Sequence, residues 1–394
     1  MKIGVDAREF LEKGKTGIGR YLENLLAPLA RGVGIDFVIF AGRTDLVPET
    51  LRTPSVKIVA LPGLPTPVVD QVVLPFLASR EKVDIFFSPY YKAPLSGQFR
   101  RIITVHDIMF LRRQEFGPFT RFVIARQLGT SARKADVVLV DSDFTGRDLA
   151  DFMPNLQNKI RRLYPDLSAA WTRPLGPEII SGIRKKYTLD KPFLLYVGNF
   201  TPHKNVRLLV EAFAQMVKGG RAGDTRLLLA GGDLQNLGRI ERLIRDCGMG
   251  MRVAIHQNVS DEDLRGLYAS ADWFVTASNY EGFGYPALEA MVSGCPVICH
   301  PCTSLPEVVG KAALDIPALT VEGVAQALQQ ALGMKPAERM NLVESGKNQA
   351  KRFLPGSAAA LFTRILSELT CMAFRGPAPG YDPAPLQGVF TPKG

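Results

Sequence analysis

Two glutamates with seven residues between them, Glu281 and Glu289, enclose the segment of this sequence that is best suited to chemistry. An apolar run ends near Ala277, and Pro286 is a residue type favoured in the first turn of a helix. The backbone N–H groups of Phe283–Tyr285 would then lie unpaired at the positive end of a helix dipole, where phosphate binds without a basic side chain. The spacing therefore predicts a loop before a helix, with a phosphate site between the two carboxylates.

The glycines and glutamates of this loop can serve different purposes. Gly282 and Gly284 would let the backbone approach a ligand closely. Glu281, in the loop, can accept hydrogen bonds from hydroxyl groups, and Glu289, one turn into the helix, can bind a ribose diol as acidic residues do in dinucleotide sites. A pair of carboxylates that is simply favoured by the helix dipole is the alternative interpretation.

The same segment carries a resemblance to a known family. Glu-Gly-Phe-Gly-x-Pro-x-x-Glu-Ala, which begins at Glu281, resembles the signature of glycosyltransferase family 4, retaining enzymes with the GT-B fold. The stretches Ser293–Ile298 and Ser304–Gly310 extend the resemblance. It implies that Glu281 holds the hydroxyls of a donor sugar and that Glu289 holds the ribose of a nucleotide-sugar donor.

Lys204 follows another apolar run and precedes a helical pattern, in the segment Val197–Asn205. A lysine at such a junction can neutralise a diphosphate, whereas an isolated motif of this kind would more often be a solvated turn lysine. The resemblance assigns Lys204 to the donor diphosphate. Some family members carry an arginine where this chain has Asn199, so part of the leaving-group charge must be met elsewhere. His203 and Arg207 are candidates.

Three further features gain a role from the resemblance. Gly17 and Gly19 are expected in a glycine loop after the first strand. A tight turn would explain these glycines equally well. The corresponding loop of the family faces the donor phosphates and the acceptor. His106 ends an apolar run, and in similar enzymes this histidine lies beside the donor sugar, although a lone histidine is more often structural. Ser260 matches a stretch beside the nucleotide base, and it also suits a helix N-cap.

The candidate site therefore consists of a catalytic set and a donor-binding set. The catalytic candidates are His106, Lys204 and Glu281. The donor-binding candidates are Gly17, Gly19, Asn199, Lys204, Ser260, Glu281, Gly282, Phe283, Gly284, Tyr285 and Glu289.

The elements that must position these residues alternate along the chain. Continuous apolar runs predict strands buried on both faces, and strand–helix alternation predicts parallel sheets with crossover helices. The predicted strands are Lys2–Val5, Asp36–Phe40, Val56–Ala60, Ile85–Ser88, Arg101–Val105, Val137–Val140, Phe193–Val197, Leu227–Ala230, Val253–His256, Trp273–Thr276 and Pro296–Cys299. The predicted helices are Arg20–Arg31, Phe119–Lys134, Asn205–Lys218, Leu237–Cys247, Asp261–Ser270, Tyr285–Ser293 and Val321–Leu332.

This alternation predicts an α/β protein of two Rossmann-like, doubly wound domains facing across a cleft, which is the GT-B fold by the resemblance. Residues 1–168 would form the acceptor side and residues 169–355 the donor side, with a break where prolines cluster near 164–190. A helix at about 356–374 is expected to pack back on the first domain. Residues 376–394 hold five prolines and four glycines, so we expect a disordered tail at 375–394.

Composition narrows the classes of protein. The chain has 394 residues and a net charge of +10, and 24 basic against 17 acidic residues give residues 1–165 a net of +7. Such a charge suits phosphate-bearing ligands or an anionic membrane surface. No pattern of a nucleic-acid-binding module supports nucleic acid as a partner. Five cysteines, an odd number, do not suggest a set of disulfides, and the early charged residues do not match a signal peptide. We therefore expect the protein in the cytoplasm. Peripheral attachment to the inner membrane face is the alternative.

Two motifs suggest metal chemistry, and we expect neither to perform it. Cys295, Cys299 and Cys302 have the spacing of an iron–sulfur motif, but a predicted buried strand keeps the three thiols from converging. Asp141-Ser-Asp143 is explained better by helix capping through Ser142 or Asp143. GT-B enzymes generally work without a bound metal, so we predict no metal and no cofactor.

The stretch Phe110–Lys134 interleaves basic and aromatic residues. One interpretation is a crossover helix with a charged outer face. The other is a surface that touches anionic lipid or a lipid-linked diphosphate acceptor. The combined features resemble bacterial O-antigen and exopolysaccharide mannosyltransferases. We therefore expect GDP-mannose as donor and a lipid-linked or oligosaccharide acceptor. A UDP-sugar donor, a sugar-nucleotide epimerase or hydrolase, and a non-catalytic sugar-binding paralogue remain as alternatives.

Overall fold

The computed structural model describes residues 1–10, 17–112 and 116–374, with side chains as far as residue 370. Thr16, at the start of the predicted glycine loop, and the predicted tail at 375–394 lie outside the described residues.

The described chain forms two parallel sheets with helices on their faces. The first has seven strands in the order β3-β2-β1-β4-β5-β6-β7, and the second has six in the order β10-β9-β8-β11-β12-β13. The first sheet contains β1 Lys2–Asp6, β2 Asp36–Ala41, β3 Val56–Ala60, β4 Ile85–Ser88, β5 Arg100–Val105, β6 Val137–Val140 and β7 Ile160–Arg162. The second contains β8 Phe193–Gly198, β9 Arg226–Gly231, β10 Val253–His256, β11 Trp273–Thr276, β12 Val297–Cys299 and β13 Ala313–Asp315.

The helices follow the strands in nearly every case. They are α1 Gly17–Ala30, α2 Thr66–Val68, α3 Leu74–Arg80, α4 Met109–Arg112, α5 Pro118–Lys134, α6 Asp143–Phe152, α7 Pro177–Lys186, α8 Val206–Lys218, α9 Leu237–Asp246, α10 Asp261–Ser270, α11 Tyr285–Val292, α12 Leu305–Val309, α13 Val321–Leu332, α14 Pro336–Ala350 and α15 Ser357–Phe374. A π turn at Val69–Val73 joins α2 to α3, and short 3-10 turns lie at Thr44–Leu46, Glu49–Leu51, Pro154–Lys159, Pro202–Lys204 and Lys351–Phe353.

The predicted fold class is confirmed, and the differences lie at edges and connections. Every predicted strand is present within one residue at either end. The sequence pattern does not predict β7 and β13, each of three residues at a sheet edge. Nor does it predict α7, which lies inside the proline-rich break between the two sheets, or the helices α2, α3, α4, α12 and α14.

Helix α15 packs against the core of the first sheet. Phe362 and Leu366 are fully buried in that core, and the Phe362 ring lies 5.1 Å from the ring of Phe87 on β4. Asp166, in the connection after β7, accepts hydrogen bonds from the backbone of Gly356 and Ala358 at the start of α15. The chain thus returns to the first sheet after it has completed the second.

Candidate active site

The loop before α11 is held in a conformation that glycine alone adopts easily. Gly284 is the N-cap of α11 with a φ of +107°, and a Cβ there would lie 2.7 Å from the side chain of Leu305. Within the described chain, the backbone N–H groups of Phe283–Tyr285 donate to no protein acceptor. Burial raises the pKa of Tyr285 well above its usual value. The loop therefore presents unpaired donors at a helix N-terminus, where an anion is bound favourably.

Gly282 lies where the two domains meet. A Cβ at this position would lie 2.8 Å from the backbone oxygen of His106 and 3.3 Å from the Cβ of Asp107. Ser142 donates a hydrogen bond to the Gly282 carbonyl at 3.2 Å. Gly282 thus permits close contact between the two domains, and its contact with the donor stays a prediction.

Lys204 and Glu281 form a largely buried ion pair between two loops of the second domain. The Lys204 Nζ lies 2.7 Å from both carboxylate oxygens, and the side chains are 17% and 11% exposed. Asn205, with a φ of +52°, donates from Nδ2 to the carbonyl of Ala277 and ties the loops together. Thr303 Oγ1 accepts from the Glu281 N–H at 2.9 Å. Lys204 is therefore not a solvated turn lysine.

Glu289 is buried, and both of its carboxylate oxygens are engaged. Arg20 Nη1 donates to Oε1 at 2.8 Å, and the Tyr268 hydroxyl donates to Oε2 at 3.1 Å. Burial raises the pKa of Glu289 to about 7, although Arg20 and Tyr268 both act to lower it. With 2% of the residue exposed, the ribose contact predicted for Glu289 requires Arg20 to move.

His106 lies at the carboxyl end of β5, with both ring nitrogens facing protein acceptors. Nδ1 lies 2.6 Å from Asp141 Oδ2, and Nε2 lies 3.0 Å from the carbonyl oxygen of Pro89. The Tyr21 ring packs edge-on against it at 5.1 Å. Burial by itself lowers the pKa of His106, but Asp141 outweighs it and the pKa is raised above its ordinary value. Both ring nitrogens thus face acceptors within the protein. The position of His106 beside the donor sugar stays a prediction.

The remaining predicted donor-site residues lie at the ends of helices and strands. Gly17 and Gly19 belong to the first turn of α1, so the expectation that they lie in a loop is wrong. Ser260 accepts a hydrogen bond from the Asp263 N–H at 3.1 Å and is the N-cap of α10, as one interpretation predicted. Asn199 is exposed at the end of β8 and accepts a hydrogen bond from Thr201.

Of the two cations suggested as replacements for an arginine at position 199, Arg207 points to solvent. Its side chain is 77% exposed and pairs with Glu211 one turn along α8, at 2.8 Å. His203 lies near Thr201, and its backbone carbonyl accepts from the N–H of Asn279.

The sequence analysis did not assign three side chains that the fold brings to the cleft: Asp141, Arg20 and Glu307. The strand register pairs Val105 with Val140, and this places the residues that follow them, His106 and Asp141, side by side. Ser142 caps α6 as predicted, with its Oγ 3.0 Å from the Thr145 N–H.

Glu307, on α12 of the second domain, reaches the start of α6 in the first. Its carboxylate accepts hydrogen bonds from the backbone N–H groups of Asp143 at 2.8 Å and Phe144 at 2.6 Å. Tyr164 also donates to it, at 3.2 Å. The two domains are thus joined by a charged contact at a helix N-terminus.

The three cysteines do not gather around a common point. Cys295 and Cys299 are buried, with pKa values raised by burial, and Cys302 donates to the carbonyl of Ser278 at 3.1 Å. Among the described residues, no group of three or more His, Cys, Asp or Glu side chains is arranged to hold a metal ion. In the same part of the chain, no helix has the length and apolar character required to span a bilayer.

Comparison with known sequences matches both halves of the chain to one kind of enzyme. The family model "Glycosyl transferases group 1" covers residues 181–349, and the model "Glycosyltransferase Family 4" covers residues 15–165. The O-antigen chain mannosyltransferase B of Escherichia coli is 32% identical over 282 residues, which are 68% of this chain and 70% of that protein. The GDP-mannose-dependent α-(1-6)-phosphatidylinositol monomannoside mannosyltransferase of Mycobacterium tuberculosis is 26% identical over 80% of this chain and 85% of its own length.

Solved structures share the arrangement of the two sheets. HepE of Anabaena in complex with UDP-glucose superposes with a TM-score of 0.77 at 16% identity, covering 93% of this chain and 100% of that one. WaaG, a glycosyltransferase involved in lipopolysaccharide biosynthesis, gives 0.71 at 18% identity, covering 92% and 99%. These likenesses establish the GT-B fold. Together with the family matches in both halves and 32% identity to a mannosyltransferase over two thirds of the chain, they show that this protein belongs to glycosyltransferase family 4.

Proposed function

We propose that this glycosyltransferase moves mannose from GDP-mannose, with retention of configuration, to a lipid-linked or saccharide acceptor in cell-surface polysaccharide synthesis. The observation that carries the proposal is the Lys204–Glu281 ion pair, buried in the second domain beside the loop that begins α11. A cation, a carboxylate and unpaired N–H groups there match a phosphate and the hydroxyls of a sugar.

The proposed chemistry is loss of a nucleoside diphosphate assisted by charge. Lys204 and the N–H groups of Gly284–Tyr285 stabilise the charge that develops on the departing diphosphate. When the donor binds, Glu281 exchanges its contact with Lys204 for the hydroxyls of the sugar. The acceptor hydroxyl attacks the anomeric carbon on the face from which the diphosphate leaves, and its proton passes to the departing phosphate oxygen. No protein nucleophile is assigned.

The relatives support mannose as the transferred sugar. The Escherichia coli and Mycobacterium tuberculosis proteins are both mannosyltransferases, and the name of the second specifies GDP-mannose. The alternative donor is a UDP-sugar. The HepE structure that contains UDP-glucose supports this alternative, and it superposes on 93% of this chain. Because that likeness has only 16% identity, we place GDP-mannose first.

The outer surface of α5 supports an acceptor at a membrane. Phe119 and Phe122 are 78% and 64% exposed, and the helix carries four basic residues and no acidic ones. Val72 and Phe76, 62% and 64% exposed, are further exposed apolar side chains of the first domain, on the π turn and on α3. A basic surface with exposed aromatic rings suits an anionic lipid interface.

A screen of sugar nucleotides tests the proposal. We expect GDP-mannose to raise the melting temperature more than UDP-glucose, and transfer to a saccharide acceptor to give an α-linked product by NMR. A larger shift with UDP-sugars would select the alternative donor. Rapid hydrolysis or epimerisation without acceptor would point to those activities, and no nucleotide binding by calorimetry would indicate a non-catalytic paralogue.

A further inference from the structure

Arg20 crosses the cleft between the two domains. It lies in the first turn of α1, yet its Nη1 donates to Glu289 at 2.8 Å and its Nη2 donates to Asp261. These partners stand 269 and 241 residues further along the chain, on α11 and α10. A first-domain cation thus lies against the carboxylate predicted to hold the ribose.

Several donors close to Arg20 have no acceptor. The Nε of Arg20 and the hydroxyl of Tyr285 are both buried without a partner in the described chain. The N–H groups of Phe283–Tyr285 also donate to no acceptor in the described chain, and Arg20 and Tyr285 lie near enough to interact electrostatically. Since buried donors are almost always paired, this grouping indicates the position of a ligand with several acceptor oxygens.

The charge of a diphosphate also calls for a second cation. Lys204 already faces Glu281, Asn199 is neutral, and Arg207 is 77% exposed and paired with Glu211 on the outer side of α8. The Arg20 side chain lies at the contact between the domains and is 25% exposed, and its planar guanidinium can bind two phosphate oxygens at once.

We propose that Arg20 binds the donor diphosphate: when the nucleotide sugar enters, the guanidinium leaves Glu289, pairs with the phosphates and frees Glu289 for the ribose. The inference rests on the proposed function, because it requires a nucleotide-sugar donor. Since Arg20 belongs to the first domain, the exchange of partners couples the arrival of the donor to closure of the cleft.

Calorimetry on the full chain tests this exchange with GDP, UDP, guanosine and uridine as probes. Arg20→Met is expected to weaken binding of the preferred nucleoside diphosphate by about 10- to 100-fold, because two charge-assisted hydrogen bonds are lost. The corresponding nucleoside, which has no phosphate, is expected to bind as in the wild type or more tightly, because Glu289 is released. Arg20→Lys keeps the positive charge but not the planar guanidinium. Its affinity for the nucleoside diphosphate is expected to lie between those of the wild type and Arg20→Met.

The control is Arg207→Met, which removes an exposed arginine and is expected to bind all four probes as the wild type does. If Arg20→Met binds the diphosphate normally, or loses nucleoside and diphosphate affinity equally, the inference is overturned. Arg20 would then only stabilise the contact between the two domains. A loss in Arg207→Met instead would assign the second cation to Arg207. If the wild type binds neither diphosphate, the proposed function itself fails and the inference with it. Should Arg20→Met not fold, as judged by its thermal unfolding, the comparison between Arg20→Lys and the wild type decides.

Discussion

The backbone oxygen of His106 and Gly282 are in direct contact across the cleft, and a Cβ at position 282 would lie 2.8 Å from that oxygen. The strand end that carries His106 therefore meets the donor loop with no space for a side chain. Ser142, which caps α6, adds a hydrogen bond to the Gly282 carbonyl. The two halves of the site can align only while residue 282 is glycine.

Gly282→Ala is expected to lower kcat by about 10- to 100-fold, because a displacement on the order of 1 Å misaligns the reacting groups. Nucleotide affinity should change less, since the groups proposed to bind the donor, apart from Arg20, belong to the second domain. Steady-state kinetics with varied donor measure both effects. Gly238→Ala is the control, because its Cβ would meet no atom within 4 Å. Normal turnover by Gly282→Ala would show that the domains need not meet in this way.

Lys204→Ala and Glu281→Ala are each expected to lower turnover by about 100-fold or more, in line with the loss of a preorganised electrostatic contact. Initial rates of transfer at saturating donor measure this. Lys191→Ala serves as the control, because it removes a lysine that is 45% exposed and pairs with Asp224 on the surface. Near-normal transfer by either site variant would refute its assigned role.

His106 should make stability depend on pH. Its pKa is raised in the folded protein, because Asp141 outweighs the effect of burial. A raised histidine pKa stabilises the fold fully below the unfolded value of about 6.5, and the contribution is lost as pH rises through the folded pKa. The difference in unfolding free energy between the wild type and His106→Gln should thus be larger at about pH 6 than at about pH 9. Urea denaturation at both values is the measurement, and an equal difference would contradict an ionised pair with Asp141.

The sequence predicts those features of the structure that depend on residues close together in the chain, and it does not predict contacts between distant residues. Strands such as Val137–Val140 and Trp273–Thr276 are continuous apolar runs, and the structure has the same bounds. Strand β7, Ile160–Arg162, contains one apolar residue and pairs with a single neighbour, so the local pattern carries little signal. The pairing of Arg20 with Glu289 depends on how two domains meet, and no local spacing encodes it.

Glu307→Ala is expected to lower the free energy of unfolding by about 1–3 kcal/mol, because partly buried N–H groups at the start of α6 lose their acceptor. The Glu307 side chain is 16% exposed, so solvent replaces it only in part. Chemical denaturation followed by intrinsic fluorescence gives the value. Glu241→Ala, which truncates an exposed glutamate on α9, should change stability by less than about 0.5 kcal/mol. Equal effects of the two variants would argue against a stabilising contact between the domains.

The exposed rings of α5 allow a direct test of membrane contact. The wild type is expected to sediment with vesicles that contain anionic phospholipid and to be released as salt increases, because the attraction of basic side chains is screened. Replacing both Phe119 and Phe122 by Ser should weaken this binding at least several-fold while leaving stability nearly unchanged, since the rings are 78% and 64% exposed. Met340→Ser, at a residue 59% exposed on α14 of the second domain, is the matched control. If the wild type does not sediment even at low salt, α5 is a crossover helix with a charged outer face and the acceptor is not met at a membrane through this surface.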